Sequence, residues 1–350
     1  AIGYRALSAN TTAHYNVALG KDTLRLNTTG TNNTALGFGT MDANTTGSNN
    51  TAVGYAALLN NTTNGGNTAI GDAALTSSNG GYYNVAVGYL AADELTTGVA
   101  STFIGVGAGE SVIGAHYNTL VGYYAGGTLD GGGYNVLLGS AAGDLMTTGN
   151  QCQMIGHDAG SSGTNAVTAS QCTFIGSYSH GSSTSSLNQL VLGYNVACTG
   201  DANFTFGNAS TDSNIAHGAT SITAPSDARL KEEVEDEKVG LDFINELRPV
   251  TFRWKKANEV PSDMRAYDAD SDERVMNGKY NHGFIAQEVK EVIDRHDLKD
   301  GFDMWSEDIH DGGRQRIGEG ALMPLMVKAV QELSAKVDDL TEKLNNCNCE

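Results

Sequence analysis

The sequence predicts a mainly β repeat shaft, followed by an α+β domain that ends in a coiled coil. Three observations predict this order: a glycine recurs at a 17-residue period, charge changes abruptly near residue 226, and the C-terminal segment carries a heptad pattern. Residues 1–225 contain three basic and eleven acidic residues, whereas residues 226–350 contain 18 and 29. Because both parts are acidic, we expect no nucleic-acid-binding surface.

The shaft prediction depends on the glycine period. Segments such as NTALG (33–37) and NTAVG (50–54) end in the recurring glycine, which stands at positions 3, 20, 37, 54, 71, 88, 105, 122, 139 and 156, then 176, 193 and 207. Each repeat holds one strand of about five residues, which is too short to be stable alone. Stacked at a fixed period, such strands pair in parallel and equivalent residues form columns. The sequence therefore predicts a parallel β-roll or β-helix over residues 1–207.

Three columns of this shaft are given structural roles from the sequence. The residue just before each glycine is aliphatic, and this column is predicted to be the core stripe. The position four before the glycine is mostly Asn, which predicts a side-chain ladder, and Cys152 and Cys172 stand there as predicted buried thiols. The position two before the glycine changes from Ala to larger residues after Ala86, which we interpret as an interior that widens or meets partner chains.

The C-terminal domain has helical and strand patterns. Val239, Phe243 and Leu247 share one face of a predicted helix, residues 250–254 alternate as a strand, and residues 283–293 begin as a strand and continue as a helix. A heptad seam then predicts association of helices from separate chains; it comprises Met323, Met326, Val330, Leu333, Val337, Leu340 and Leu344. Cys347 continues this series, and both an inter-chain disulfide and a reduced pair with Cys349 stay open.

Candidate chemistry lies where the two parts meet. Ser226 and Lys231 are five residues apart in SDARLK (226–231). A serine becomes nucleophilic when a base takes its proton, and a lysine serves as that base when burial lowers its pKa. On spacing alone, a polar linker with a surface lysine is the better explanation, because Ser and Lys five residues apart are common.

The neighbouring motifs favour a catalytic interpretation. SDARLK, LRPVTFRWK (247–255) and HGFIAQEV (282–289), followed by a coiled coil, resemble the intramolecular chaperone domain first named for endosialidase tailspikes. The resemblance implies a trimeric chaperone that templates shaft folding and then cleaves itself off. It implies Ser226 as nucleophile, Lys231 as general base and Pro225–Ser226 as the scissile bond, with supporting residues Asp227, His282, Gln287 and Glu288. The NTAxG repeats are similar to head repeats of trimeric bacterial adhesins and to phage tail-fibre repeats, which implies a homotrimer.

The resulting division is a shaft at 1–207, a connector at 208–225, a self-cleaving chaperone domain at 226–320 and a coiled coil at 321–346. The predicted function is that of a structural phage tail fibre, located in the virion, whose chaperone drives trimerisation and then cleaves at Pro225–Ser226. The alternative is a bacterial cell-surface adhesin with a non-cleaving trimerisation cap.

Expected partners are a host cell-surface glycan or protein receptor, and other tail proteins reached through a region N-terminal of residue 1. We expect no membrane span, because no stretch of about 18 apolar residues occurs. We also expect no cofactor and no metal. The acidic run Asp268, Asp270 and Asp272 lacks the glycine and the final glutamate of a calcium loop, with Glu273 and Lys279 in those places.

Overall fold

The computed structural model describes residues 1–209, 211–219, 221–224, 226–298, 304–308 and 312–347. The chain forms two compact units, residues 1–227 and 228–350.

The first unit is a parallel β-solenoid of about eleven turns. Its strands follow chain order in one sheet: β1 Val17–Leu19, β2 Thr34–Leu36, β3 Thr51–Val53, β4 Thr68–Ile70, β5 Val85–Val87, β6 Thr102–Ile104, β7 Thr119–Val121, β8 Val136–Leu138, β9 Gln153–Ile155, β10 Thr173–Ile175, β11 Leu190–Tyr194, β12 Asn203–Asn208 and β13 Thr211–Ala216. Neighbours from β1 to β12 pair in parallel, and β13 pairs antiparallel with β12. The prediction of a repeat shaft with a 17-residue period is confirmed.

The strand register follows the glycine period even where the period changes. Ala35 pairs with Ala52, and Gln153 pairs with Thr173 across the 20-residue interval. The Gly143 amide still donates to Ala159, whereas the Thr147 amide donates to Val167, so the extra residues lie in the turn between 159 and 167.

The repeat glycines are required for two reasons. Gly88 has a φ of +145°, and a Cβ there would lie 2.2 Å from the carbonyl oxygen of Gly105 in the next coil. A side chain at this position would therefore clash with backbone and occupy an unfavourable conformation.

The prediction that the residue just before each glycine forms the core is wrong. Leu19 and Leu36 are 43% and 41% exposed, whereas Ala18 and Ala35, one residue earlier, are buried. Side chains alternate between the two faces of a strand, so the residues two and four before the glycine share the inward face. The narrow interior is filled by the small Ala and Asn side chains, and the aliphatic column points outward.

The predicted Asn ladder is confirmed. The Asn67 amide donates to Asn50 Oδ1 at 2.9 Å, and its side chain donates to the Gly81 carbonyl oxygen at 2.9 Å. These bonds satisfy backbone and side-chain groups that would be costly to bury alone. Cys152 and Cys172 continue the column as buried thiols, as predicted.

The larger residues two before the glycine need no partner chain to cover them, since they are fully buried in the single chain. Three inward columns fill the interior together: the residues two before, four after and seven after each repeat glycine. In early coils these are Ala, then Leu or Met, then Asn or Ser. In later coils a large residue stands two before the glycine, a Gly stands four after it, and an aliphatic residue stands seven after it. The late set is Phe103, Gly109 and Val112; Leu120, Gly126 and Leu129; Leu137, Gly143 and Met146.

The second unit contains short helices and strands around a small core. Its elements are α1 Leu241–Glu246, β14 Val250–Phe252, β15 Asn281–Gly283, α2 Ala286–Arg295, β16 Trp305–Asp308, β17 Arg314–Ile317 and α3 Leu322–Cys347. Strands β14 and β15 pair antiparallel, as do β16 and β17. The core comprises Phe243, Val289, Val292, Ile293, Met304, Leu322 and Leu325.

Helix α3 confirms the predicted C-terminal helix. Leu322, Leu325 and Ala329 are buried at its beginning, so the first two turns pack on the domain. The heptad residues lie on another face and are exposed.

Candidate cleavage site

The segment that contains the predicted nucleophile and base is exposed. Residues 226–238 are all exposed, and one 3-10 turn, Ala228–Leu230, interrupts an otherwise irregular path. The Lys231 amide donates to the Ala228 carbonyl oxygen at 3.2 Å and closes this turn. Pro225, on the acyl side of the predicted scissile bond, lies outside the described residues.

The two predicted dyad residues belong to different units. The first unit ends at Asp227 and includes Ser226, and the second unit begins at Ala228 and includes Lys231. Both dyad side chains are exposed in the single chain. Burial, which would favour a neutral lysine amine, is therefore not provided by this chain alone.

The predicted supporting residue His282 lies on β15. It is exposed and stands opposite Thr251 of β14 in the antiparallel pair, with 3.5 Å between Thr251 Oγ1 and His282 Nδ1. This distance is at the limit of a hydrogen bond. The pairing of β14 with β15 therefore positions the His282 backbone, and the contact of its imidazole with Thr251 is at most a weak hydrogen bond.

Glu288 has the clearest structural role among the predicted supporting residues. It lies in the first turn of α2, and Arg248 Nε donates to Glu288 Oε2 at 2.9 Å while Arg248 Nη2 donates to Oε1. The hydrogen bonds from the guanidinium hold the pKa of the Glu288 carboxyl below its usual value. Gln287 precedes it and is exposed. This bidentate pair connects the segment before β14 to α2.

A second ion pair supports the same side of the domain. Arg295 Nε donates to Glu246 Oε2 at 2.8 Å, and His296 Nε2 lies 3.1 Å from Glu246 Oε1. The hydrogen bond from Arg295 lowers the pKa of the Glu246 carboxyl most, and the hydrogen bond with His296 lowers it further. Together the two pairs flank a groove of about 220 Å³ between α1 and α2, whose floor includes Leu247 and Val292.

Sequence reasoning missed Arg248, Glu246 and Arg295. Arg248 stands within the LRPVTFRWK motif but is 40 residues from its partner, so no local spacing reveals the contact. Within the described residues, no cluster of side chains is suited to hold a metal ion. No helix in the described ranges is long and apolar enough to cross a membrane.

Comparison with protein families gives a match to part of the chain. Residues 226–298 match the family model described as chaperone of endosialidase. The match begins at Ser226, includes β14, β15 and α2, and ends before α3. Comparisons with curated proteins and with solved structures gave no match. The solenoid and this C-terminal segment together are consistent with a tail-fibre-type protein.

Proposed function

We propose that the chain is a homotrimeric phage tail-fibre protein whose C-terminal domain drives trimerisation and shaft folding, then cuts the chain at Pro225–Ser226. One observation carries this proposal: the family match begins at Ser226, soon after the last solenoid strand ends at Ala216. The segment similar to a chaperone thus starts where the repeat structure stops.

In the proposed cut, the hydroxyl of Ser226 attacks the peptide bond to which Ser226 itself contributes the nitrogen. Lys231 takes the proton of the Ser226 hydroxyl, and the oxygen attacks the carbonyl carbon of Pro225. The peptide C–N bond breaks, the Ser226 nitrogen takes up a proton, and an ester links the Pro225 carbonyl to Ser226 Oγ. Water then hydrolyses the ester, which leaves a carboxylate on Pro225 and a free amine on Ser226.

Exposure of the dyad supports a fixed order of events. Ser226 and Lys231 are exposed in the single chain, whereas a lysine that acts as a base needs an environment favouring the neutral amine. We propose that neighbouring chains cover residues 226–238 in the trimer. Cleavage would then follow assembly, and the folded shaft would lose the domain that aligned it.

Helix α3 supports the trimer. Its heptad residues are exposed from end to end, although Leu322 and Leu325 already anchor the first turns to the domain. A single-chain helix would leave this apolar seam in water, and a coiled coil buries it. Since the shaft has a nearly periodic sequence, a separate trimerisation element also fixes which coils align.

The test is expression of the chain, followed by a denaturing gel, mass spectrometry and analytical ultracentrifugation. Wild type is expected to form a trimer and release a fragment that begins at Ser226. Ser226→Ala and Lys231→Ala are expected to stay intact as trimers, while the exposed controls Ser221→Ala and Lys279→Ala still cleave. Cleavage of Ser226→Ala at the same bond would refute the assigned nucleophile.

A second candidate is a bacterial surface adhesin with a non-cleaving cap. The observation that favours it is that the single chain buries neither Ser226 nor Lys231. A stable wild-type trimer that remains uncut would support this candidate. Location in the virion, contact with other tail proteins and binding of a host glycan or protein receptor belong to the first proposal and would be tested on assembled particles.

A further inference from the structure

The outward face of the solenoid sheet consists of the residues three before and one before each repeat glycine on β1–β11. Its aliphatic column lies in water in the single chain; Ile104, for example, is 40% exposed. Apolar side chains therefore repeat at every coil along the whole sheet. This is the column that sequence patterning places inside.

The outward face carries no charge in a chain with a net charge of −19. The residues one before the glycine are Leu19, Leu36, Val53, Ile70, Val87, Ile104, Val121, Leu138, Ile155, Ile175 and Leu192. The residues three before the glycine are Val17, Thr34, Thr51, Thr68, Val85, Thr102, Thr119, Val136, Gln153, Thr173 and Leu190. Depletion of charge is a feature of the buried centre of protein interfaces.

Exposed aromatic residues flank the outward face on both sides. Five residues before the glycine, Tyr117 and Tyr134 stack with ring centroids 5.0 Å apart. One residue after it, Phe38 and Tyr55 stack at 5.5 Å. Tyrosine and phenylalanine are enriched at interfaces, since each contributes a large contact area with few rotatable bonds.

The size of the outward face fits a stable association. Strands spaced about 4.8 Å apart make the eleven-strand face roughly 50 Å long, and seven residues at about 3.3 Å each make it roughly 20 Å wide. The resulting area of roughly 1,000 Å² exceeds the apolar patches usual on a monomer and matches the roughly 800 Å² that a standard interface buries on each partner.

We propose that the outward face is the surface through which the shaft meets two further copies of this chain, with three such faces directed toward a common axis. A copy has the same rise per coil, so its columns match along the entire length. A receptor or another tail protein would lack this repeat and would cover only a few coils. The inference depends on the proposed trimer and goes beyond it by assigning the contact surface of the shaft.

The test measures thiol protection in the full-length protein. Ile104→Cys is placed on the outward face, and Leu145→Cys, at 41% exposure in the single chain, is the matched control. Leu145 lies six residues after its repeat glycine, where another coil has the charged Glu94, so that column faces solvent. Both variants carry Cys347→Ser and Cys349→Ser, and maleimide modification is followed peptide by peptide by mass spectrometry.

In the native trimer, Cys at 104 is expected to react about tenfold or more slowly than Cys at 145, with equal rates after denaturation. Ile70→Cys, on the same column two coils away, gives the same comparison if Ile104→Cys does not fold. Equal native rates in a protein that sediments as a trimer would overturn the assigned surface while leaving the trimer intact. A monomer in ultracentrifugation would refute the proposed trimer itself.

Discussion

Phe103 and Gly109 provide a direct test of the two core arrangements of the solenoid. Phe103 is fully buried, and a Cβ on Gly109 would lie 2.5 Å from Phe103 Cδ1. Phe103→Ala is expected to cost about 3–5 kcal/mol per chain through lost burial and a cavity. Gly109→Ala alone is expected to cost about 1–3 kcal/mol, because the added methyl group overpacks the coil.

The double variant is expected to be less destabilised than the sum of the two single variants. Removing the ring removes the clash, and the preceding coil already combines Ala86 with Ala92 at a φ of 53°. The two changes therefore reproduce an arrangement that the chain uses elsewhere. The coupling is expected to be about 1–3 kcal/mol in favour of the double variant.

The assay is unfolding in guanidinium followed by far-UV circular dichroism, with unfolding rates compared if the shaft does not refold. The control combines Gly109→Ala with Phe174→Ala, a buried phenylalanine four strands farther on, and its effects are expected to add. If the changes in the free energy of unfolding also add for Phe103→Ala and Gly109→Ala, the two side chains do not compete for the same space and the packing argument fails.

Three further changes test other contacts. Ser78→Asn should stabilise the shaft by about 1 kcal/mol in guanidinium unfolding. Asn61 Oδ1 and Ser78 Oγ are both buried without hydrogen-bond partners, and the new side-chain amide would donate to Asn61 Oδ1. An unchanged stability would count against this reasoning. Gly88→Ala should cost more than about 4 kcal/mol or prevent folding. Gly131→Ala should fold, because its Cβ would make only an ordinary contact, 3.7 Å from Thr148 Cγ2, and its φ is not positive. Equal behaviour of the two variants would contradict the close-approach argument. The pKa of Glu288 is lowered in the folded state, so the stability it contributes is present at neutral pH and is lost as the pH falls through the acidic range below about 4. Glu288→Gln should therefore reduce the acid-induced fall in melting temperature of the C-terminal unit, by a small amount because the Arg248–Glu288 pair is exposed. An unaltered pH profile would argue against a role of this pair in stability.

The sequence predicts the period, the parallel register and the Asn ladder, because each follows from one residue type at one spacing. It does not identify which strand face is inside, since Ala35 and Leu36 alternate and the aliphatic residue is the more usual core choice. The answer depends on the width of the coil, which admits Ala35 and excludes Leu36, and a single repeat does not encode that width. Likewise, SDARLK is recognisable as a motif, whereas the Arg248–Glu288 pair is formed by folding between distant segments.

The turn between residues 159 and 167 has a consequence for how such a protein changes over evolution. Three extra residues enter this coil without altering the pairing of β9 with β10. Adding or removing a whole 17-residue unit would change the length of the solenoid in steps of about 4.8 Å. Insertions within a turn would instead change the surface of one coil and leave the length unchanged. The length of the solenoid and the surface of its turns can therefore change independently of each other during evolution.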